Sequence, residues 1–166
     1  MIEVKIKAVG MDINSMSPVV ILSDFEEKNY LPIWIGLPEA QSIAMQLQQT
    51  VPPRPFTHDL MVNILNELNV TIKDVSIVDL KDGVYYATIT LTLNGKTYLI
   101  DSRPSDAIAL AVRTNAPIYV DEKVAEEAFI LSENVQQQDS QQDSQEEEEF
   151  RRFLNNLKLD DIDKYL

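Results

Sequence analysis

The strongest constraint on the fold is a pattern of three predicted strands followed by a predicted helix, which occurs twice along the chain. Three short apolar or alternating segments come first, and their pattern predicts strands. The chain breaks at Gly36, and from Leu37 apolar residues return at the spacing of a helix. Three further strand patterns and a second helix pattern follow in the same order. The six strands are expected at 2–12, 18–25, 30–35, 71–80, 84–93 and 96–100.

Sliding the sequence by 65 residues superposes the two halves without a gap. The matched pairs include Val19 with Val84 and Asn29 with Asn94, and residues 42–47 lie over residues 107–112. Such self-similarity indicates an internal duplication. We therefore expect an α+β fold in which two β-β-β-α units, related by a pseudo-two-fold axis, form a mixed or antiparallel sheet packed with helices.

Other elements join the two units. Thr57 is a suitable N-cap for a helix between them, residues 117–120 form a short apolar run, and residues 124–131 have helical spacing. The pair Asn94-Gly95 predicts a tight hairpin.

The C-terminal part differs in composition from the rest. Residues 1–132 form the expected domain, residues 133–146 are rich in Gln, Asp and Ser and predict a flexible linker, and residues 147–166 predict an amphipathic helix. The apolar stripe of that helix consists of Phe150, Phe153, Leu154 and Leu157.

Charge and composition limit the class of protein. The net charge is −13, of which residues 139–166 carry −5, so the expected domain is itself acidic. An acidic surface repels a phosphate backbone at long range, which argues against broad non-specific binding of nucleic acid. The absence of cysteine excludes thiol catalysis and disulfides. No apolar run is long enough for a membrane span, so we expect a cytoplasmic protein without membrane contact.

Three turns that lead into helices carry the candidate chemistry, at residues 36–39, 54–59 and 101–106. Helix N-termini attract phosphate through unpaired N–H groups. Arg103 suits bidentate phosphate binding, while Asp101 and Asp106 offer oxygen ligands to a hard cation. A metal-bound water would supply a nucleophile for phosphodiester hydrolysis.

His58 is the only histidine in the chain. It can act as a general base or as a metal ligand, and being alone it excludes two-histidine motifs. The structural alternative is equally simple. Asp59 and Asp106 complement helix dipoles, serines cap, Arg103 pairs with a nearby carboxylate, and His58 is a surface residue.

Four blocks of this sequence resemble the bifunctional nuclease family, and we interpret the chain as a bacterial member. They are LPIWIGLPEAQSIAMQL (31–47), RPFTHDLM (54–61), VDLKDGVYYATITL (78–91) and IDSRPSDAIALAVRTNAPIYV (100–120). The resemblance covers about residues 1–131. It implies an α+β domain that forms a homodimer, and DNase or RNase activity as in plant relatives, without a catalytic assignment to carry over. The family motifs match at Glu39, His58, Asp59, Asp101, Arg103, Ser105 and Asp106.

Three hypotheses follow. The first is a nuclease acting on DNA or RNA, with Mg²⁺ or Mn²⁺ and without an organic cofactor. Its catalytic residues would be His58, Asp101 and Asp106, its phosphate-binding residues Arg54, Arg103 and Ser105, and its metal ligands Asp101, Asp106 and Glu39. The second is a non-catalytic homodimeric adaptor whose C-terminal helix docks on a protein partner or on the dimer. The third is a sensor that binds a small anion without hydrolysis.

Overall fold

The computed structural model describes residues 1–131 and contains eight strands, three eleven-residue helices and one shorter helix within them. The expected linker at 133–146 and helix at 147–166 lie outside the described residues. The strands are β1 (Ile2–Asp12), β2 (Ser17–Ser23), β3 (Asn29–Trp34), β4 (Thr71–Lys81), β5 (Val84–Leu93), β6 (Lys96–Ser102), β7 (Ile118–Val120) and β8 (Ile130–Leu131). The helices are α1 (Leu37–Leu47), α2 (Thr57–Glu67), α3 (Pro104–Thr114) and α4 (Glu122–Ala128).

The described strands form one eight-stranded mixed sheet in the order β6-β5-β4-β7-β1-β2-β3-β8. Each expected unit is an antiparallel meander, and β7 lies between the two meanders. Because β7 runs antiparallel to β1 and parallel to β4, the two meanders run in opposite directions. A two-fold axis normal to the sheet requires this arrangement, so the α+β class and the duplicated β-β-β-α units are confirmed.

Two-residue turns set the register of the second meander. Lys81 pairs with Val84 and Leu93 pairs with Lys96. Both central residues of each turn have positive φ, and glycine occupies the second place with φ of 74° at Gly83. This geometry matches the strand twist and favours Asp-Gly and Asn-Gly.

Helices α1 and α3 pack on the sheet and against each other, and α2 contacts α3. The buried faces of α1 and α3 are rich in alanine, including Ala40, Ala44, Ala107 and Ala111, and small side chains let helices approach closely. The core consists of these faces and the apolar residues of the central strands, such as Val75 and Ile77. The N-termini of α1 and α3 lie near one another, since Arg103, just before α3, donates to Glu39 in the first turn of α1.

Three local expectations are corrected by the structure. Residues 130–131 form β8 and pair with β3, so the helix expected at 124–131 ends at Ala128. Thr57 is the first residue of α2 and Phe56 is the N-cap. The helices begin at Leu37 and Pro104, 67 residues apart, because β6 extends to Ser102 and the 65-residue register is lost there. None of the helices in residues 1–131 is long and apolar enough to span a membrane.

Candidate functional site

A cleft of about 990 Å³ opens where α1, α2 and α3 meet strands β5 and β6. Its walls bring together side chains that are far apart in sequence. The polar or charged ones that matter for chemistry are Glu39, Ser42, His58, Asp101, Ser102, Arg103 and Asp106. Residues from the three turns at 36–39, 54–59 and 101–106 therefore share one cleft.

His58 lies at the centre of a hydrogen-bonded chain across the three helices. Its Nε2 is 3.0 Å from Asp106 Oδ1 in the first turn of α3, and its Nδ1 is 2.8 Å from Ser42 Oγ in α1. The imidazole is buried, with 7% of the residue exposed. Two of its partners thus belong to helices other than its own, which fixes the ring.

The partners also determine the tautomer of His58. An ionised Asp106 can only accept a hydrogen bond, so the proton must be on Nε2. In the neutral imidazole Nδ1 then has a lone pair and accepts the hydrogen bond of the Ser42 hydroxyl. The hydrogen bonds thus run from the Ser42 hydroxyl to His58, and from His58 to the Asp106 carboxylate.

Arg103 precedes α3 and binds two carboxylates. Its Nε donates to Asp106 Oδ2 at 2.8 Å, its Nη2 lies 2.8 Å from the same oxygen, and Nη2 donates to Glu39 Oε1 at 2.7 Å. These hydrogen bonds, the one to Glu39 first, raise the pKa of Arg103 above its usual value. With 66% of its side chain exposed, the guanidinium keeps an open face toward solvent.

Gly36, at the start of α1, allows a close approach by the Glu39 carboxylate. The Glu39 carboxylate folds back over Gly36, so that a Cβ at this position would overlap Oε2. The backbone of Gly36 is extended, with φ of −71°, and imposes no demand of its own. The lack of a side chain therefore serves the placement of Glu39 beside Arg103.

A second ion pair stands behind the cleft and ties the same three helices together. Arg113 Nε donates to Asp59 Oδ1 at 2.7 Å, and Arg113 Nη2 donates to the Ser42 carbonyl at 3.1 Å. Asp59 also accepts from Phe56 N. Burial raises the pKa of Asp59, but the hydrogen bonds from Arg113 and Phe56 more than offset it, so the pKa lies below 3.8.

One wall of the cleft is aromatic. Tyr85 and Tyr86 from β5 line it together with Phe56, and Tyr86 and Phe56 are 41% and 52% exposed. Burial raises the pKa of Tyr85, which keeps its hydroxyl protonated. Flat rings at the rim of a cleft suit stacking with a planar ligand.

The sequence-predicted residues divide into two groups. Glu39, His58, Asp101, Arg103 and Asp106 line the cleft. Two residues expected to bind phosphate are not among its lining residues: Arg54 is exposed in the loop before α2, and Ser105 is buried in the first turn of α3. Ser105 faces the core because the helix turns its side chain away from the cleft.

The carboxylates of the cleft do not form the ligand set that the expected divalent cation needs. Within residues 1–131 no three acidic or histidine side chains gather as metal ligands. Two of the three expected ligands, Glu39 and Asp106, are instead hydrogen-bonded to Arg103. A cation would have to displace the guanidinium from both, so this donor set does not fit Mg²⁺ or Mn²⁺ as arranged.

Ser42, Arg113 and the tyrosines were not among the sequence-predicted site residues. Ser42 had a usable signal, since it is a polar residue next to Ile43 on the apolar side of α1. Arg113 lies in the last turn of α3, where a basic residue is explained by the helix dipole alone. Its role depends on Asp59, 54 residues away.

The match to a known family covers every residue that lines the cleft. The sequence pattern of the bifunctional nuclease domain matches residues 20–133. An uncharacterized protein of Mycobacterium tuberculosis (strain H37Rv) is 37% identical over 161 residues, which is 96% of this chain and 96% of that protein. The protein named Bifunctional nuclease 1 of Oryza sativa subsp. japonica is 26% identical over 98 residues, which is 57% of this chain and 30% of the rice protein.

Proposed function

The chain belongs to the bifunctional nuclease domain family, as its resemblance implied, and we propose that it hydrolyses phosphodiester bonds of nucleic acid in the cleft between α1, α2 and α3. One observation carries this proposal: a buried histidine, its carboxylate partner and an exposed guanidinium from two different helix starts meet in a single cleft. The matched region includes every one of these residues.

Arg103 is the proposed phosphate ligand. Its guanidinium is held rigidly by Asp106 and Glu39 on one side and is exposed on the other. A planar fork of N–H donors can bind two oxygens of one phosphate. A phosphate that binds here competes with Glu39 for Nη2, because that nitrogen already donates to Glu39 Oε1 and lies 2.8 Å from Asp106 Oδ2.

His58 is the proposed acid–base group. With Asp106 fixing the proton on Nε2, the histidine accepts a proton at Nδ1 and the resulting imidazolium is stabilised by the carboxylate. The same nitrogen can later return the proton. Asp101, which lines the cleft from β6, is exposed and offers a hydrogen-bond acceptor to the substrate.

The charge of the cleft limits the form of the substrate. Three carboxylates, those of Glu39, Asp101 and Asp106, and one guanidinium line it. Among the residues that line the cleft only Arg103 is a fixed cation, so attraction for phosphate is local and does not extend along a duplex. A single-stranded segment fits better, since one phosphate can bind Arg103 while a neighbouring base stacks on Tyr86 or Phe56.

Parallel purification provides the test. Wild type and the variants His58→Ala, Asp106→Ala and Arg103→Ala are assayed on single-stranded DNA and RNA, with Arg54→Ala as the matched control for an exposed arginine outside the cleft. We expect cleavage by wild type and by the control, and a loss of at least about 100-fold in the three cleft variants. Equal cleavage in all five preparations would identify a contaminant and refute the proposal.

An apolar stripe on α2 favours a second function, that of a homodimeric adaptor. Leu60, Ile64 and Leu68 are each at least half exposed on one face, and Leu99 on the edge strand β6 is 70% exposed. Exposed patches of this kind mark interfaces. Light scattering of the full chain would show a dimer that Ile64→Lys weakens and the isolated exposed residue Val51, changed to Lys, does not.

A further inference from the structure

The hydroxyl of Ser42 is the group to which the Nδ1 lone pair of His58 is directed. Ser42 Oγ lies 2.8 Å from Nδ1, while the opposite ring nitrogen contacts Asp106. With both nitrogens engaged and the ring buried, His58 has no open position from which to activate a water directly. Any proton that reaches Nδ1 must come from Ser42 or pass through the place it occupies.

We propose that Ser42 is the nucleophile of the reaction, an assignment that rests on the proposed phosphodiesterase function. A hydroxyl that donates to a histidine, which in turn donates to a carboxylate, is the relationship of nucleophile, base and orienting group in covalent catalysis. The structure differs from the common form of this arrangement only in that Nδ1 faces the serine and Nε2 faces the carboxylate.

Ser42 is held in place through its backbone carbonyl as well as through its hydroxyl. Its carbonyl oxygen accepts from Arg113 Nη2 at 3.1 Å, and Arg113 is itself fixed by Asp59 and by the carbonyl of Ala109. The residue is 8% exposed, and it lines the cleft that also contains Arg103. The serine thus occupies a rigid helix, within the same cleft as the proposed phosphate ligand.

The reaction balances without a further reagent. Ser42 Oγ attacks phosphorus, its proton moves to His58 Nδ1, the bond from phosphorus to the leaving oxygen breaks, and that oxygen receives the proton from Nδ1. A serine phosphodiester results. Water then attacks the same phosphorus, His58 accepts its proton at Nδ1, the bond to Oγ breaks, and Oγ is reprotonated.

The stereochemical course at phosphorus tests the inference directly. A phosphorothioate diester of single configuration is hydrolysed by the full-length wild-type protein in oxygen-18 water, and the configuration of the product is determined. Two in-line displacements give net retention, which we expect. Direct attack by water gives inversion, and inversion would overturn the role of Ser42 while leaving the phosphodiesterase function intact.

Variants provide an independent readout. Ser42→Ala removes the nucleophile, and we expect a rate loss of at least about 100-fold with inversion in any residual product. Ser76→Ala, at another buried serine outside the cleft, is the matched control, and thermal unfolding checks that both variants fold. Ser42→Ala at wild-type rate would contradict the inference, whereas absence of phosphodiester cleavage by the wild type itself would refute the proposed function.

Discussion

Arg103 Nη2 donates to Glu39 Oε1 at 2.7 Å and so joins the N-termini of α3 and α1, 64 residues apart in sequence. The two helices hold equivalent positions in the duplicated units, each after the third strand of its meander. The ion pair therefore bridges the pseudo-two-fold relationship. Counted from the helix starts, Glu39 and Asp106 occupy the same position in α1 and α3, so Arg103 binds two equivalent carboxylates beside the cleft.

Glu39→Gln should improve substrate binding. The variant removes the charged competitor for Arg103, and because this ion pair is largely solvent-exposed on the arginine side its loss should cost less than about 1 kcal/mol of stability. We expect KM for a single-stranded oligonucleotide to fall about threefold to fivefold with kcat little changed. A higher KM would show that Glu39 binds substrate instead of competing with it.

Gly36→Ala should act through the same contact without changing any charge. The added methyl group overlaps the Glu39 carboxylate, which must move away from Arg103. Since the displaced atom is the end of a flexible side chain, we expect the free energy of unfolding to change by under about 0.5 kcal/mol. The kinetic effect should follow that of Glu39→Gln in direction, and the double variant should show no further decrease in KM.

Asp106→Asn should leave the shape of the cleft in place and impair proton transfer. An amide can present an N–H to Nε2, which would allow the histidine tautomer with the proton on Nδ1 and turn its lone pair away from Ser42. We expect kcat to fall about 100- to 10,000-fold. Nitrogen-15 chemical shifts of His58 would report the tautomer, and an unchanged Nε2–H signal would contradict this explanation.

The fold was readable from the sequence because its signals are local. Asn94-Gly95 fixes one hairpin through the positive φ that both residues adopt, and the change of period after Gly36 locates α1. The prediction of a helix over 124–131 was wrong at its C-terminal end because the deciding contact there is not local. Residues 130–131 become strand only through pairing with β3, 100 residues earlier in the chain, and no local pattern specifies that contact.

The site was only half predictable. Acidic and basic residues at helix starts are conspicuous in sequence, so Asp106 and Arg103 were found. Ser42 was missed because a serine in an apolar helix resembles many buried, satisfied hydroxyls, and its partner His58 lies on another helix. Ser105 was misplaced relative to the cleft because a register difference of a few residues in α3 decides which side chain faces the core.

Chelation should distinguish the metal-dependent mechanism expected from the sequence from the proposed mechanism in which Ser42 and His58 act without a metal. Because Glu39 and Asp106 are engaged by Arg103, we expect cleavage by the wild type to persist in excess EDTA. Added Mn²⁺ should compete for these carboxylates and leave the rate unchanged or lower. Complete loss of activity in EDTA with recovery on Mg²⁺ would restore the metal hypothesis and require the carboxylates to rearrange. A heat-inactivated preparation sets the background.

Asp59→Asn should weaken the fold in a pH-dependent manner. The folded-state pKa of Asp59 lies below its unfolded value of 3.8, so its ionised form stabilises the folded protein above pH 4, and this contribution is lost as the pH falls through the folded-state pKa. The side chain of Arg113 is 7% exposed, and weakening its partner should cost about 1–3 kcal/mol at pH 7.

Urea unfolding measured from pH 7 to pH 3 should show the stabilities of wild type and Asp59→Asn converging at the acidic end. The exposed hairpin variant Asp82→Asn is the control and should differ little from wild type at pH 7. If the wild-type and Asp59→Asn curves stay parallel across this range, the hydrogen bond from Arg113 does not depend on the ionisation of Asp59.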